Sequence, residues 1–307
     1  MKKTVNIGGK LESSAIALGC MRIAGMSSPD LQKLINTSID GGINFFDHAD
    51  IYGGGKSETV FGQAVKEAKI ARDKIHVQTK CGIRHGFFDF SKEHIISSAE
   101  ASLKRLDMDY VDVFLLHRPD TLMEPEEVAE AFSKLHKDGK VRHFGVSNQN
   151  SGQIRLLNKY LTGDLAITIN QLQLSPTNTG MIDSGFNVNM QNPPSIDHDG
   201  GILEFCRLED ITIQAWSPFQ YGFFAGVFLG SDKYPELNEV INDLASQKNV
   251  TPEAIVIAWI LRHPAKMQAI PGTTNVERVK GISAALTCDM TREEWYAIYR
   301  AAGNVLP

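Results

Sequence analysis

Ala15-Ile16-Ala17-Leu18-Gly19-Cys20-Met21-Arg22 carries the first strand of a repeating pattern and the turn that ends it. An open, doubly wound sheet that binds a dinucleotide places Gly-x-Gly-x-x-Gly at such a turn, letting the backbone approach a pyrophosphate. Here the single Gly19 is followed by Cys20, Met21 and Arg22. The fingerprint is missing, and the open sheet loses its main support.

Further short apolar runs follow at Asn44 to Asp47, Ile75 to Thr79, Val111 to Leu116, Val141 to Val146, Ala166 to Gln171, Ile211 to Ala215 and Gln268 to Ile270. Between them apolar residues recur at three- and four-residue steps, as in Leu31, Leu34, Ile35, Ile39 and in Val60, Phe61, Ala64, Val65, Ala68, which predicts helices. Ser57 and Ser91 stand at N-cap positions, Thr251-Pro252-Glu253 puts proline at a first helical position, and Thr291-Arg292-Glu293-Glu294 is a capping box. Strands alternating with helices predict a parallel sheet with right-handed crossovers, and the number of repeats favours closure into a (β/α)8 TIM barrel. Ahead of it, Thr4 to Ile7, Gly8-Gly9 and Lys10 to Glu12 read as an N-terminal β-hairpin. Nothing reads as a linker, so residues 1–307 are taken as a single domain. Two long connections, Leu174 to Gly201 and Pro218 to Pro235, follow strands and would lie at the barrel mouth.

A chain of 307 residues buries enough surface to need neither disulfides nor a metal. A net charge of −5 and a pI near 6.0 argue against nucleic acid or an anionic membrane as the main partner. No segment approaches the ~20 apolar residues of a membrane span, and Met1 to Asn6 leads into no secretory signal. Cys20, Cys81, Cys206 and Cys288 lie far apart, as reduced thiols of a cytoplasmic protein would. The nine histidines show no ligand spacing, so no metal is expected.

In a parallel barrel the C-terminal strand ends converge on one face. Asp47, Tyr52, Lys80 and His117 each follow an apolar run and would meet there. Taken singly they read as a cap, a rim phenol, a surface charge and a core histidine. Together they make a proton-donating cluster. A phenol of pKa ~10 is a feeble acid at neutral pH, and a nearby Lys80 would lower it; about two units corresponds to roughly 3 kcal/mol. Asp47 would hold the lysine charged, and His117 would orient a substrate oxygen.

Phe46-Asp47-His48-Ala49-Asp50-Ile51-Tyr52-Gly53, Thr79-Lys80, Leu115-Leu116-His117, Gly139-Lys140-Val141-Arg142-His143-Phe144-Gly145-Val146-Ser147-Asn148 and Trp216-Ser217-Pro218 together resemble the aldo-keto reductases, nearly end to end. The match is similar to a bacterial branch with a short C-terminal tail, for which a permissive pocket is expected. The resemblance implies NADP(H) lying extended across the barrel mouth, Tyr52 as general acid, and reduction of aldehydes or ketones. It implies that Ser147, Asn148 and Gln171 hold the nicotinamide carboxamide, that Trp216 stacks on the ring, and that Ser217 and Phe219 follow the pyrophosphate. Gly272, Thr273, Thr274 and Arg278 fall where the adenosine 2′-phosphate is received, with Arg278 able to clamp it bidentately. Gly272 replaces a lysine common in the family, and Ile282 an asparagine, which weakens that recognition. Loop position assigns Met21, Phe87, Phe88, Phe219 and Tyr221 to an apolar substrate pocket. The expected partner is a small carbonyl compound, and the chain a monomer or weak homo-oligomer.

Two other classes stay open: an NADP(H)-binding sensor or partner subunit with slow turnover, and a barrel glycosidase, in which Lys80 and Tyr52 would have no role. Gly53-Gly54-Gly55-Lys56-Ser57 has the wrong spacing for a phosphate loop, and Gly145-Val146-Ser147-Asn148-Gln149 lacks the last glycine of a nucleophile elbow. Cys81 reads as a buried, inert thiol.

Overall fold

A computed structural model describes residues 3–307. Its strands are β1 (Thr4–Ile7), β2 (Leu11–Ser14), β3 (Ala17–Gly19), β4 (Phe45–Asp47), β5 (His76–Cys81), β6 (Val111–Leu116), β7 (Val141–Ser147), β8 (Ile167–Gln173), β9 (Thr212–Trp216), β10 (Gln220–Tyr221), β11 (Gly226–Val227) and β12 (Gln268–Ile270). β3 to β9 pair in chain order, all parallel, and β12 adds beside β9. A parallel bridge between Ile16 and Ala269, with Gly19 N donating to the Pro271 carbonyl at 2.9 Å, brings β12 back to β3. The sheet closes as the expected (β/α)8 barrel.

The helices are α1 (Ser28–Gly41), α2 (Lys56–Glu67), α3 (Lys92–Leu106), α4 (Pro125–Lys137), α5 (Ser151–Tyr160), α6 (Gly180–Phe186), α7 (Ile202–Leu208), α8 (Pro235–Lys248), α9 (Pro252–Arg262), α10 (Val276–Ser283) and α11 (Arg292–Ala301). Their apolar stripes face the sheet: Leu31, Leu34 and Ile35 of α1 and Phe61, Ala64 and Val65 of α2 are buried. Ser91 and Thr251 cap α3 and α9, and Thr291 with Glu294 forms the capping box of α11. Ser57 does not cap. Gly55 holds that position at φ 87°, and Ser57 is buried inside α2 with its hydroxyl unpartnered. The two long connections are partly ordered, the first containing α6 and the second the β10–β11 hairpin.

The antiparallel β1–β2 hairpin plugs the N-terminal end of the barrel, where Val5 and Ile7 join Ala17, Phe45, Val113, Leu115, Ile169 and Ile270 in a core of their own. Its loop spans residues 8–10, because Ile7 pairs with Leu11. Gly8 takes φ 53° there, and a Cβ on it would come 2.5 Å from Thr168 Cβ.

Outside the barrel, α2 presses its backbone onto the end of α3. A Cβ on Gly62 would lie 2.1 Å from the Leu106 carbonyl oxygen, which is backbone and cannot swing away. Gly62→Ala is therefore expected to destabilise the fold by about 1–3 kcal/mol despite alanine's better helix propensity. Thermal unfolding measures it, and a melting temperature equal to or above wild type would show that the two helices separate without cost.

Candidate active site

Side-chain alternation along the strands decides what faces the barrel interior. In β5, Val77, Thr79 and Cys81 turn toward the helices, while Gln78 and Lys80 turn inward, as do Phe45 and Asp47 of β4. Asp47, Tyr52, Lys80 and His117, separated along the chain, meet at the C-terminal end. Lys80 is fully buried, its ammonium 2.7 and 2.8 Å from the two carboxylate oxygens of Asp47, and it donates to the His48 carbonyl at 2.7 Å. Its remaining reach is to the Tyr52 hydroxyl oxygen, at 3.4 Å. An ammonium can only donate, so the phenol oxygen accepts here and its own hydrogen is left for the cavity.

Burial lowers the affinity of Lys80 for its proton, but the Asp47 charge and the Tyr52 contact outweigh it and hold the ammonium above its ordinary value. Tyr52 corrects the expectation from sequence. Burial raises the phenol, Lys80 opposes this and Asp47 adds to it, and the net direction is upward. The lysine stops the phenol from rising further but does not bring it below its ordinary value, because the same burial that strengthens the contact penalises phenolate. Tyr52 thus keeps its proton at rest. His117 lies edge-on to Tyr52 with ring centroids 6.0 Å apart. Burial, then the charges of Lys80 and Arg118, push it well below the usual histidine range, so its imidazole is neutral.

Beneath the cluster runs a chain of buried glutamines. Asp47 Oδ1 accepts from Gln78 Nε2 at 2.6 Å and from Gln171 Nε2 at 3.1 Å. Both amides also donate to Gln214 Oε1, at 2.9 Å each, and Gln214 donates to Gln78 Oε1 and to Gln268 Oε1. Gln268 in turn donates to the Ser14 carbonyl in the hairpin. Both N–H groups of Gln171 are spent inside the barrel, and its Oε1 is the atom left over for a ligand. Short apolar runs revealed these strands in the sequence but not that their inward amides pair with one another.

Tyr52, His117 and Asp47 open into a cavity of about 730 Å³. Of the residues assigned from sequence, its wall contains Met21, Ser147, Asn148, Gln171, Trp216, Ser217, Phe219, Gly272 and Arg278. Asn148 Nδ2 donates to Ser147 Oγ at 2.8 Å, and Trp216 Nε1 donates to Asn148 Oδ1 at 3.3 Å, so these groups form one preset polar edge. Asn148 and Ser217 adopt positive φ, 56° and 52°, where the chain leaves β7 and β9. Arg278 lines the same cavity, its Nε 3.4 Å from Glu253 Oε1. The donor set combines a neutral amide and hydroxyl edge with a guanidinium, and suits a ligand that carries both an amide and an anion.

Other assigned residues stand off the wall. Phe87 and Phe88, 56% and 43% exposed, sit in a turn closed by Arg84 N on the Phe87 carbonyl, and neither lines the cavity. Ile83, just before that turn, lines the cavity instead. Tyr221 is drawn away by packing on Tyr234, at 5.3 Å between centroids. The Thr273 hydroxyl is occupied by Asn275 N at 3.1 Å, and Thr274 is exposed, neither reaching the wall. Sequence reading missed Arg118 and Glu253, both on the wall. Arg118 adjoins His117 and was legible only as the next residue after a strand. Cys81 is buried, and burial raises its thiol well above the ordinary value, in keeping with an inert role. No metal-binding group of histidines, cysteines or carboxylates occurs among the described residues, and no described helix is long and apolar enough to cross a membrane.

A family model for the aldo/keto reductase family matches residues 15–302. The chain is 36% identical over 302 residues to Oxidoreductase YdhF of Escherichia coli (strain K12), covering 95% of this chain and 94% of that one. It is 33% identical over 312 residues to a 6-dehydroglucose reductase of Agrobacterium fabrum, covering 97% of both. Among solved structures, an aldo-keto reductase from Klebsiella pneumoniae in complex with NADPH superposes with a TM-score of 0.79 at 27% identity, covering 100% of this chain and 97% of that one.

Proposed function

The chain belongs to the aldo/keto reductase family, and we propose that it reduces aldehydes or ketones with NADPH, using Tyr52 as the proton donor. The observation that carries this reading is the Tyr52 hydroxyl, which accepts from a buried, charged Lys80 and so presents its hydrogen to the cavity beside a neutral His117.

The cavity fits the cofactor. Ser147, Asn148 and Gln171 Oε1 offer neutral donors and acceptors for a carboxamide, Trp216 a flat face for a ring, and Arg278 a fork for a phosphate. When bound, NADPH supplies the hydride that the carbonyl carbon receives. The rest is done by the chain. A neutral His117 donates its N–H to the carbonyl oxygen and fixes its direction. As negative charge grows on that oxygen, Tyr52 hands over its proton, and the Lys80 ammonium stabilises the phenolate left behind. Asp47, held by Gln78 and Gln171, keeps Lys80 charged and in place.

Consumption of NADPH and NADH across a panel of aldehydes and ketones tests the proposal. Oxidation of NADPH dependent on the carbonyl supports it. Tight NADPH binding without turnover would support the sensor reading instead.

Arg278 shares its charge with Glu253, which a 2′-phosphate must displace or tolerate. Glu253→Gln is expected to lower the KM for NADPH by about two- to fivefold, the scale of a partly exposed ion pair, with the KM for NADH unchanged. Parallel steady-state titrations with both cofactors decide this. Equal shifts for both would place Glu253 outside phosphate recognition.

A further inference from the structure

Arg118 follows His117 directly and stands half-buried in the same cavity wall as Tyr52 and Trp216. Among the described residues no carboxylate or carbonyl oxygen pairs with it; its guanidinium carbon lies 5.7 Å from the Trp216 ring centroid and 5.5 Å from that of Phe223. Burial pushes its proton affinity down, and the proximity of Tyr52 partly restores it. The carboxylates of the cavity are engaged elsewhere: Asp47 with Lys80, Gln78 and Gln171, and Glu253 with Arg278. Arg22 lines the cavity as well, but it is exposed, in the turn after β3.

A desolvated guanidinium without an anion is costly, whereas one that meets a planar, two-oxygen anion forms parallel charge-assisted bonds. One guanidinium fork matches the two oxygens of a carboxylate, whereas a phosphate dianion, with a third oxygen and a second charge, would call for more donors than Arg118 alone supplies. We infer that Arg118 is a substrate-binding residue, and that the preferred substrates of this site are carbonyl compounds bearing a carboxylate. This rests on the reductase reading and deepens it. The carboxylate takes no part in the chemistry: the carbonyl carbon gains hydride from NADPH, the carbonyl oxygen gains the Tyr52 proton, and water restores that proton. The product is a hydroxy acid.

This proposal departs from the apolar and aromatic pocket expected from the sequence. Met21, Ile51, Ile83 and Phe224 would cover the stem of the substrate, and Arg118 its charged end.

The test compares ω-oxo acids of increasing length with alkanals of equal length and with glyceraldehyde 3-phosphate, in wild type, Arg118→Met and Arg118→Lys. Wild type is expected to favour at least one oxo acid over its alkanal by tenfold or more in kcat/KM, carried by KM as for binding felt equally before and during reaction. Arg118→Met should bring that ratio to about one, the oxo acid losing about tenfold or more beyond any loss with the alkanal, and Arg118→Lys, which lacks the fork, should recover only part. Alkanals reduced as well as every oxo acid, a preference for the phosphorylated aldehyde, or equal loss of both substrates in Arg118→Met would overturn the assignment while leaving the reductase reading standing. If no carbonyl is reduced, that reading falls, and a titration without turnover still decides the site. Butanoate should change the fluorescence of Trp216 in wild type but not in Arg118→Met, and butyramide in neither; Trp259 and Trp295 are buried and stacked on one another, away from the cavity. No response to butanoate in wild type would reject the inference.

Discussion

Tyr52→Phe is expected to lower kcat for carbonyl reduction by about 10²- to 10⁴-fold, the range spanned by general acid catalysis, with NADPH affinity within twofold of wild type. The substitution removes one oxygen from a ring that lies edge-on to His117 and keeps the Lys80 ammonium 5.1 Å from its centroid. Lys80 keeps Asp47 and the His48 carbonyl, so the buried ammonium stays paired and the fold should hold. The pH profile is part of the same prediction. Burial holds the Tyr52 phenol above its ordinary value of 10.0, and the acid acts only in its protonated form, so reduction should be insensitive to this group at neutral pH and decline only as pH climbs past that raised value. His117, neutral because it is held well below 6.5, should add no step near that pH. Steady-state kinetics from pH 6 upward, with cofactor binding measured separately, checks both halves. Unchanged turnover in the phenylalanine variant would reject Tyr52 as the donor.

What the sequence showed, and where it stopped, follows from how each signal is encoded. β6 could be read residue for residue because a parallel strand covered on both faces is a run of apolar residues. The four residues of the cluster were legible because barrel geometry alone sends the ends of β4, β5 and β6 to one rim. The buried polar residues of those strands were harder. Asp112, in the same run that leads to His117, binds Arg72 at 2.6 Å and Val77 N at 2.9 Å, clamping strands and the preceding loop at the opposite end of the barrel. Nothing local in sequence distinguishes it from a residue at the mouth; only its position along the strand does. Loop residues were least legible. Phe87 and Phe88 have the composition of a pocket, yet the turn from Ile83 to Phe88, closed by Arg84 N on the Phe87 carbonyl, leaves both exposed and off the cavity wall. Arg118 carries no signature at all, since its meaning lies in the lack, among the described residues, of a carboxylate or carbonyl oxygen paired with it, which is a property of the assembled cavity.

Lys80→Met is expected to be the most damaging single change, and its two effects can be separated. Removing the ammonium takes from phenolate the cation that would stabilise it, which should cost about 10²- to 10³-fold in kcat. It also leaves the Asp47 carboxylate buried with only the amides of Gln78 and Gln171 as donors. Breaking one side of a buried ion pair costs about 3–5 kcal/mol, far more than the pair itself contributes, because the surviving charge is stranded. Since Lys80 is held above its ordinary 10.5, the stabilisation it gives in wild type is complete below that pH and is lost only when pH rises through the elevated value. The deficit of the variant should therefore be the same across the neutral range. Adding Asp47→Asn removes the stranded charge while an amide oxygen still accepts from Gln78, so the double variant should regain most of the lost stability but none of the lost activity. Chemical denaturation and kinetics on the two single variants and the double variant close the cycle. If stability and activity instead recover together, Lys80 acts by holding the mouth of the barrel in shape, and the phenol receives no electrostatic help from it.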